Sequence, residues 1–375
     1  MQSIIKRIKN KAISNVLNIP GWHTNRKIVV FESDDWGSIR MPSLSTYSKL
    51  LKSGLKIEDH YNRNDSLATT NDLNGLFEIL TLFKDKNRNY PVITANCLVA
   101  NPDFENIRAS KFEKYHYELF TETLKRHKGC EHSFEMWKEG IRSEIFRPQF
   151  HGREHLNIST WMEALQNKHS ETLLAFDNNF WGQLTSFPGT YRQHFLSEND
   201  VKYLYELSNI SEIISDGLKQ FETIFGYASQ SYIATNFNWH PLLEETLAKC
   251  GVKYIQGQRK QLIPRENRKE YSKKIHYTGQ RNNFNQLYMV RNAIFEPSMD
   301  KNIDWVNNCL KGISIAFKWN KPAIVSCHRV NFIGSIDPTN RDRNLKSLKT
   351  LLFELTKRWP EVEFMSSDQL GQLIY

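Results

Sequence analysis

The sequence predicts an α/β fold, specifically a distorted (β/α) barrel of about seven or eight parallel strands with helical insertions. Two features predict it. Eight short runs rich in β-branched and apolar residues alternate with stretches of helical periodicity, the pattern of βα units wound into a parallel sheet. Three of those runs end in carboxylate or imidazole side chains, at the strand ends where parallel α/β folds gather their chemistry. No internal repeat or low-complexity linker interrupts the 375 residues. That favours one elaborated domain over residues 27–375, with insertions near 100–144 and 178–230.

In chain order the apolar runs are 27–33, 91–97, 145–150, 231–236, 252–256, 287–294, 322–327 and 362–366. Helical periodicity is clearest over 156–167, 241–250, 303–317 and 345–359, each following one of the runs. Asn157 and Ser159 suit the N-cap of the first helix, while Pro241 suits the first turn of the second and Gly251 its end. Residues 104–144 and 197–225 also read as helical but fall between strands, and so are insertions.

Residues 1–26 form a basic amphipathic segment. Ile4, Ile5, Ile8, Ala12, Ile13, Val16 and Leu17 recur at helical spacing among Lys6, Arg7, Lys9 and Lys11. The segment lacks the continuous apolar centre of a secretion signal, and no later stretch reaches the ~18 apolar residues of a membrane span. The expectation is a cytoplasmic protein. Its N-terminal helix either packs on the domain or rests on the inner membrane face as a peripheral contact.

Hydrophobic content of 39%, aromatic content of 12% and nine tryptophans exclude a disordered chain. The net charge of +9 is partly local, since Arg259, Lys260, Arg265, Arg268, Lys269, Lys273 and Lys274 crowd one stretch. Such an excess attracts phosphates, anionic lipid or acidic glycans. No helix-turn-helix or RNA-binding pattern accompanies it, so nucleic acid is not expected as a partner. The five cysteines are odd in number and form no CxxC pair, which excludes a zinc or redox clip of that type. Cys97 and Cys327 sit in apolar runs as small core residues, and reduced thiols in a reducing compartment fit best.

The chemistry-bearing residues lie at the strand ends. The first run ends in Asp34-Asp35-Trp36-Gly37. Two adjacent carboxylates cannot both enter a core without partners, and a cation would resolve the conflict. The plain alternative is a turn opened by Asp-Asp and closed by Gly37. The third run leads into His151-Gly152-Arg153-Glu154-His155. Histidines four apart on a helical turn share a face and can reach one metal, although two surface histidines would read the same way. A late run, Ala323-Ile324-Val325-Ser326-Cys327, delivers His328, a residue type suited to acid catalysis near neutral pH. An acid pair, a His pair and a lone His at three separate strand ends make coincidence hard to sustain.

Taken together, Phe31–Gly37, His151–His155 and Ser326-Cys327-His328 resemble the polysaccharide deacetylase family, carbohydrate esterase family 4 and its relatives. The resemblance implies a distorted (β/α) barrel and a metal-dependent hydrolase that removes acetyl groups from an acetylated sugar or polysaccharide, N-acetyl before O-acetyl. It implies Asp35, His151 and His155 as metal ligands, Asp34 as catalytic base and His328 as acid. The cofactor implied is a divalent metal, zinc first, with cobalt, nickel or iron as alternatives. The chain departs from the family in two places. The Arg-containing strand-end motif has no evident copy, since Ala234-Thr235-Asn236-Phe237-Asn238-Trp239-His240-Pro241 stands there. The spacing from Asp35 to His151 is also long, which marks a divergent member. Arg147 or Arg153 could replace the missing Arg. Trp36, Arg147, Arg153, Asn236, Asn238, Trp239 and His240 are the substrate-side candidates, and Trp36, Trp181, Trp239 and Phe332 could offer a ring to a pyranose face. The alternatives are a glycosyltransferase holding its metal on the acid pair, or a catalytically degenerate carbohydrate-binding member of the same fold.

Overall fold

The computed structural model describes residues 15–265 and 271–375. The predicted amphipathic segment therefore falls largely outside the described residues, as do Arg268 and Lys269. Thirteen strands follow in chain order among the described residues: β1 (Lys27–Trp36), β2 (Ile93–Leu98), β3 (Ala100–Pro102), β4 (Tyr117–Leu119), β5 (Phe146–Gly152), β6 (Ser231–Ile233), β7 (Tyr254–Gly257), β8 (Lys260–Pro264), β9 (Tyr271–Ile275), β10 (Leu287–Val290), β11 (Ala293–Ile294), β12 (Ala323–His328) and β13 (Val362–Phe364). Each of the eight predicted runs contains a strand, and one of them is broken in two.

The main sheet is parallel, in the order β10-β7-β6-β5-β2-β1-β12-β11, with β13 pairing the start of β1. Its first and last members are two halves of one run of chain. β10 pairs with β7 and β11 pairs with β12. Between them, Arg291 N–H donates to the Gly257 carbonyl at 3.0 Å and Asn292 N–H to the Ile324 carbonyl at 3.0 Å. The Asn292 side chain also accepts from Ile324 N–H at 2.9 Å. The bend at Arg291-Asn292 thus joins the two sides of the sheet into a distorted barrel wall.

Strands buried on both faces read as unbroken apolar runs, and β1 shows why: every residue from Ile28 to Trp36 is buried. Alternate side chains divide between two layers. Ile28, Val30, Leu287, Met289 and Ile324 form an inner cluster with Tyr254 and Leu370. Val29, Phe31, Ala323, Val325 and Cys327 face the large core shared with surrounding helices. All five cysteines are unpaired. Among the described residues, no helix is long and apolar enough to cross a membrane.

Three local expectations change. The last long helix spans Pro338–Arg358 and starts earlier than its apolar period shows. Asp337 caps it and Pro338 occupies its first turn, so the start is set by capping chemistry rather than periodicity. The second insertion becomes helical only at Glu206. Its preceding stretch, Ser197–Asp200, is a fully buried polar loop tied down by Asn157, Asn236 and Thr235. The basic stretch around residue 260 folds in part as an antiparallel pair, β8 with β9.

Candidate metal centre

The end of β1 is irregular, and that irregularity sets the site. Successive strand residues point to opposite faces, so Asp34 and Asp35 should diverge. Instead the β1–β2 register slips between Ser33 and Trp36, and Asp35 takes φ +72°. A bulge of this kind re-aims side chains at little cost when a short polar residue accepts the left-handed region. Gly37 follows at φ +86°, where a Cβ would stand 2.2 Å from the Leu98 carbonyl. The bulge sends Trp36 into the outer core, edge-on to Trp137 and Phe146, with its indole donating to Ser33 Oγ at 2.9 Å. Trp36 is therefore a packing residue rather than a sugar platform. Trp181, Trp239 and Phe332, each 1% exposed, are sealed in the same way.

The two histidines meet without the helical turn expected of them. His151 is still in β5, Gly152 turns the chain at φ +144°, and His155 lies in the loop before the helix Ile158–Gln166. Any Cβ at Gly152 would stand 2.4 Å from Glu198 Oε2, so only glycine fits this turn. His151 Nε2 lies 3.3 Å and His155 Nε2 3.6 Å from Asp35 Oδ1, and the three ligand atoms fall within 4.8 Å of one another. For bonds of about 2.1 Å the edge of a tetrahedral metal site is about 3.4 Å. The spacing fits.

Protonation fits as well. His151 Nδ1 sits 2.8 Å from the Ile233 carbonyl, which can only accept, so Nδ1 carries the proton and Nε2 presents a lone pair. That lone pair faces a carboxylate oxygen, and a proton or metal ion must lie between two such acceptors. Burial pushes His155 down to about 3. Burial alone would raise Asp35, but its contacts with His151, then His155, His328 and Arg40, hold it well below the usual carboxylate range. A neutral imidazole beside an ionised carboxylate is the state a divalent metal requires.

Asp34 has its own counter-ion. Arg291 grips it bidentately, Nη1 to Oδ2 at 2.7 Å and Nη2 to Oδ1 at 2.6 Å, and reaches Glu32 through Nε at 2.7 Å. Asn96 adds a third donor to Asp34 at 2.7 Å. Burial would raise the Asp34 carboxyl, yet Arg291 outweighs it and the group is held low. This Arg was not among the sequence candidates. Arg147 lies at the start of β5, bound to Asp368 and stacked on Tyr227. Arg153 bonds Glu154 and Asp216. Neither bonds Asp34. The usable signal was a lone guanidinium inside the apolar run Leu-Tyr-Met-Val-Arg-Asn-Ala-Ile, which has to find a buried anion. Arg291→Met should lower stability by about 3–5 kcal/mol, because it strands Glu32 and Asp34 in the interior. Urea unfolding measures this, and a loss below about 1 kcal/mol would contradict the buried ion pair.

His328 ends β12, directly opposite Asp34 in the parallel register. Its Nε2 is 3.7 Å from Asp34 Oδ2, and its Nδ1 is 2.5 Å from Glu296 Oε1. Asn331 holds the other Glu296 oxygen at 2.8 Å. Burial would lower the imidazole, but Glu296, then Asp34 and Asp35, push it up to about 9. Glu296 was not visible in the sequence, because its partner lies 32 residues further on. The same holds for Arg40, 3.7 Å from Asp35 and stacked over Tyr61, and for Arg329, which is buried and bidentate on Asp65.

The predicted substrate segment contributes less. Asn236 donates to Leu196 and Ser197, Trp239 to Glu244, and His240 accepts from Leu242 N–H. Asn238 is fully buried. None of these bonds reaches Asp34, Asp35, His151, His155 or His328.

No protein-family model matches the sequence, and no curated protein matches it. Solved structures with a related arrangement do exist. A Mycobacterium smegmatis protein named as a candidate polysaccharide deacetylase aligns over 95% of this chain and 92% of its own at 12% identity, TM-score 0.46. Puue allantoinase aligns over 94% and 91% at 8% identity, TM-score 0.46. The 4-alpha-glucanotransferase of Thermococcus litoralis aligns over 92% of this chain and 40% of its own at 9% identity, TM-score 0.47. At these scores the neighbours say nothing of activity; the chain is similar to them in the course of its backbone.

Proposed function

We propose that the protein is a metal-dependent hydrolase that removes acetyl groups from an acetylated sugar or polysaccharide, with N-acetyl groups as its main target. One observation carries this reading. A three-donor cluster suited to a divalent metal adjoins a carboxylate gripped by a guanidinium and an imidazole held by a carboxylate, Asp34 and His328, which sit on neighbouring strands.

Asp35, His151 and His155 would hold the ion, and zinc, cobalt, nickel or iron suits two imidazoles and a carboxylate. When bound, such an ion activates water and polarises an acyl carbonyl. The remaining steps belong to the chain. Asp34, fixed by Arg291 and Asn96, accepts the proton of the attacking water. His328 enters the cycle protonated and gives its Nε2 proton to the departing amine. Glu296 is a positioning residue: it holds Nδ1 and keeps the ring cationic. Base and acid thus begin in opposite charge states, as hydrolysis of an amide requires. Five unpaired cysteines suit a cytoplasmic setting.

Metal content by elemental analysis, followed by acetate release from acetylated oligosaccharides with and without chelator, tests the reading. Metal-free protein with full activity would refute it, as would metal-loaded protein that releases no acetate from any acetylated sugar.

A pH profile adds a prediction. The His328 proton is present below about 9 and is lost as pH rises through that value, so the alkaline limb of kcat should fall there. Glu296→Gln removes the largest influence raising this imidazole. That limb should move down by about one unit or more, toward the ordinary histidine value. An unmoved limb would separate His328 from the acid role.

A further inference from the structure

The positive charge of the chain is concentrated in two segments. Residues 1–26 hold five basic side chains and no acidic one, and residues 259–274 hold seven basic and two acidic. Together they carry a net ten positive charges, against nine for the whole chain, so all the rest is nearly balanced.

The fold brings the described parts of these segments side by side. The Arg259 guanidinium donates to the Leu17 carbonyl. Trp22 N–H donates to the Thr278 carbonyl at 2.8 Å. Between them and the helix Trp305–Lys318 lies a cavity of about 800 Å³. Its walls mix apolar groups, such as Leu17 and Tyr277, with Arg259, Lys311 and Lys321, and no carboxylate lines it among the described residues. Lys321 is only 4% exposed. Its ammonium meets the carbonyls of Gly21 and Trp22 and Nε2 of His23, at 2.6, 3.1 and 3.1 Å. Burial lowers this lysine to about 8.

Uncovered apolar side chains lie among these cations. Val16, Leu17 and Ile19 are 61%, 42% and 47% exposed, and Ile275 and Tyr277 are 47% and 38% exposed. In the β8–β9 pair, Lys260 stands opposite Ile275 and Leu262 opposite Lys273. Strand alternation places all four on one face, while Gln261 on the other face is buried. The outer face of the β8–β9 pair is therefore basic and apolar at once.

We propose that this face docks on a bilayer surface bearing anionic phosphate headgroups, with the cavity receiving a headgroup. Charge alone would suit any polyanion. Exposed aliphatic side chains between the cations suit a lipid surface, where they enter the acyl boundary while lysine and arginine stay with the phosphates. The inner end of the cavity is closed by Arg291 and Ser326, behind Asp34, while Lys260, Lys273 and Lys311 take no part in the metal cluster. Vesicle binding is read without acetate release, so its failure and the failure of the deacetylase reading are distinguishable.

Sedimentation of the full chain with vesicles tests it, using phosphatidylcholine alone or mixed with phosphatidylglycerol. Binding is expected only with the anionic lipid and should weaken with salt. The triple variant Lys260→Glu, Lys273→Glu, Lys311→Glu should bind about 100-fold more weakly. Its glutamine counterpart should fall between it and the parent, and serves if the charge reversal perturbs folding. Leu17→Asp with Ile275→Asp should also release the protein from vesicles. Equal binding to both lipid mixtures, no binding to either, or full binding by the triple variant would each overturn the proposal. So would alginate competing fully while the aspartate pair still binds vesicles, which would assign the face to acidic polymers.

Discussion

Asp35→Ala should leave the protein folded but without its metal, and acetate release should drop by at least about 10³-fold. The reasoning is electrostatic. Asp35 Oδ1 is the one atom that approaches both imidazole nitrogens, at 3.3 and 3.6 Å, so its removal takes away the only anionic donor of the cluster. Two neutral imidazoles alone bind a divalent ion weakly, and the ion supplies several kcal/mol of charge stabilisation in the transition state, with each 1.36 kcal/mol worth a factor of ten. Stability should fall modestly, because the folded state favours the ionised Asp35 and the buried Arg40 loses one of its carboxylate partners. Elemental analysis and a melting curve on the same sample decide the matter. Metal retained at wild-type level would mean that the ion sits elsewhere.

Asp34→Asn should have the opposite signature: metal retained and turnover reduced by ~10²–10⁴-fold. Asn keeps the shape and the Asn96 contact but cannot take a proton, and it loses the charge that faces Arg291. Because Arg291 still pairs with Glu32, the fold should survive with a measurable loss. Since kcat would fall while metal content stays fixed, this variant separates base chemistry from metal binding. Activity within a few fold of the parent would remove Asp34 as the base.

Much of this architecture is readable in the sequence because it rests on local physics. Buried parallel strands must be apolar along their length, and β1, β2, β5 and β12 announced themselves in that way. The strand-end polar residues were visible for the same reason, since a carboxylate or imidazole at the end of such a run stands out. What escaped were interactions whose two halves lie far apart. Arg291 meets Asp34 across 257 residues and Arg329 meets Asp65 across 264, and nothing local encodes either pair. The aromatic candidates failed for a different reason. Tryptophan beside a motif is equally consistent with packing, and a bulge at Asp35 decided which way Trp36 turned. The helical spacing of His151 and His155 was a coincidence of count, since a glycine-turned loop achieves the same convergence.

The way the wall closes has a consequence for biogenesis. β1, near the amino end, is flanked by β12, and the hoop is completed only through the split run 287–294. A ribosome that has released Asp35, His151 and His155 has therefore emitted the ligands without the guanidinium and imidazole that set the charge of the neighbouring Asp34. Pairings of such long sequence separation form late and slowly. The nascent chain should hold an incomplete acidic centre for most of its synthesis, and cation capture should follow, rather than guide, closure of the hoop.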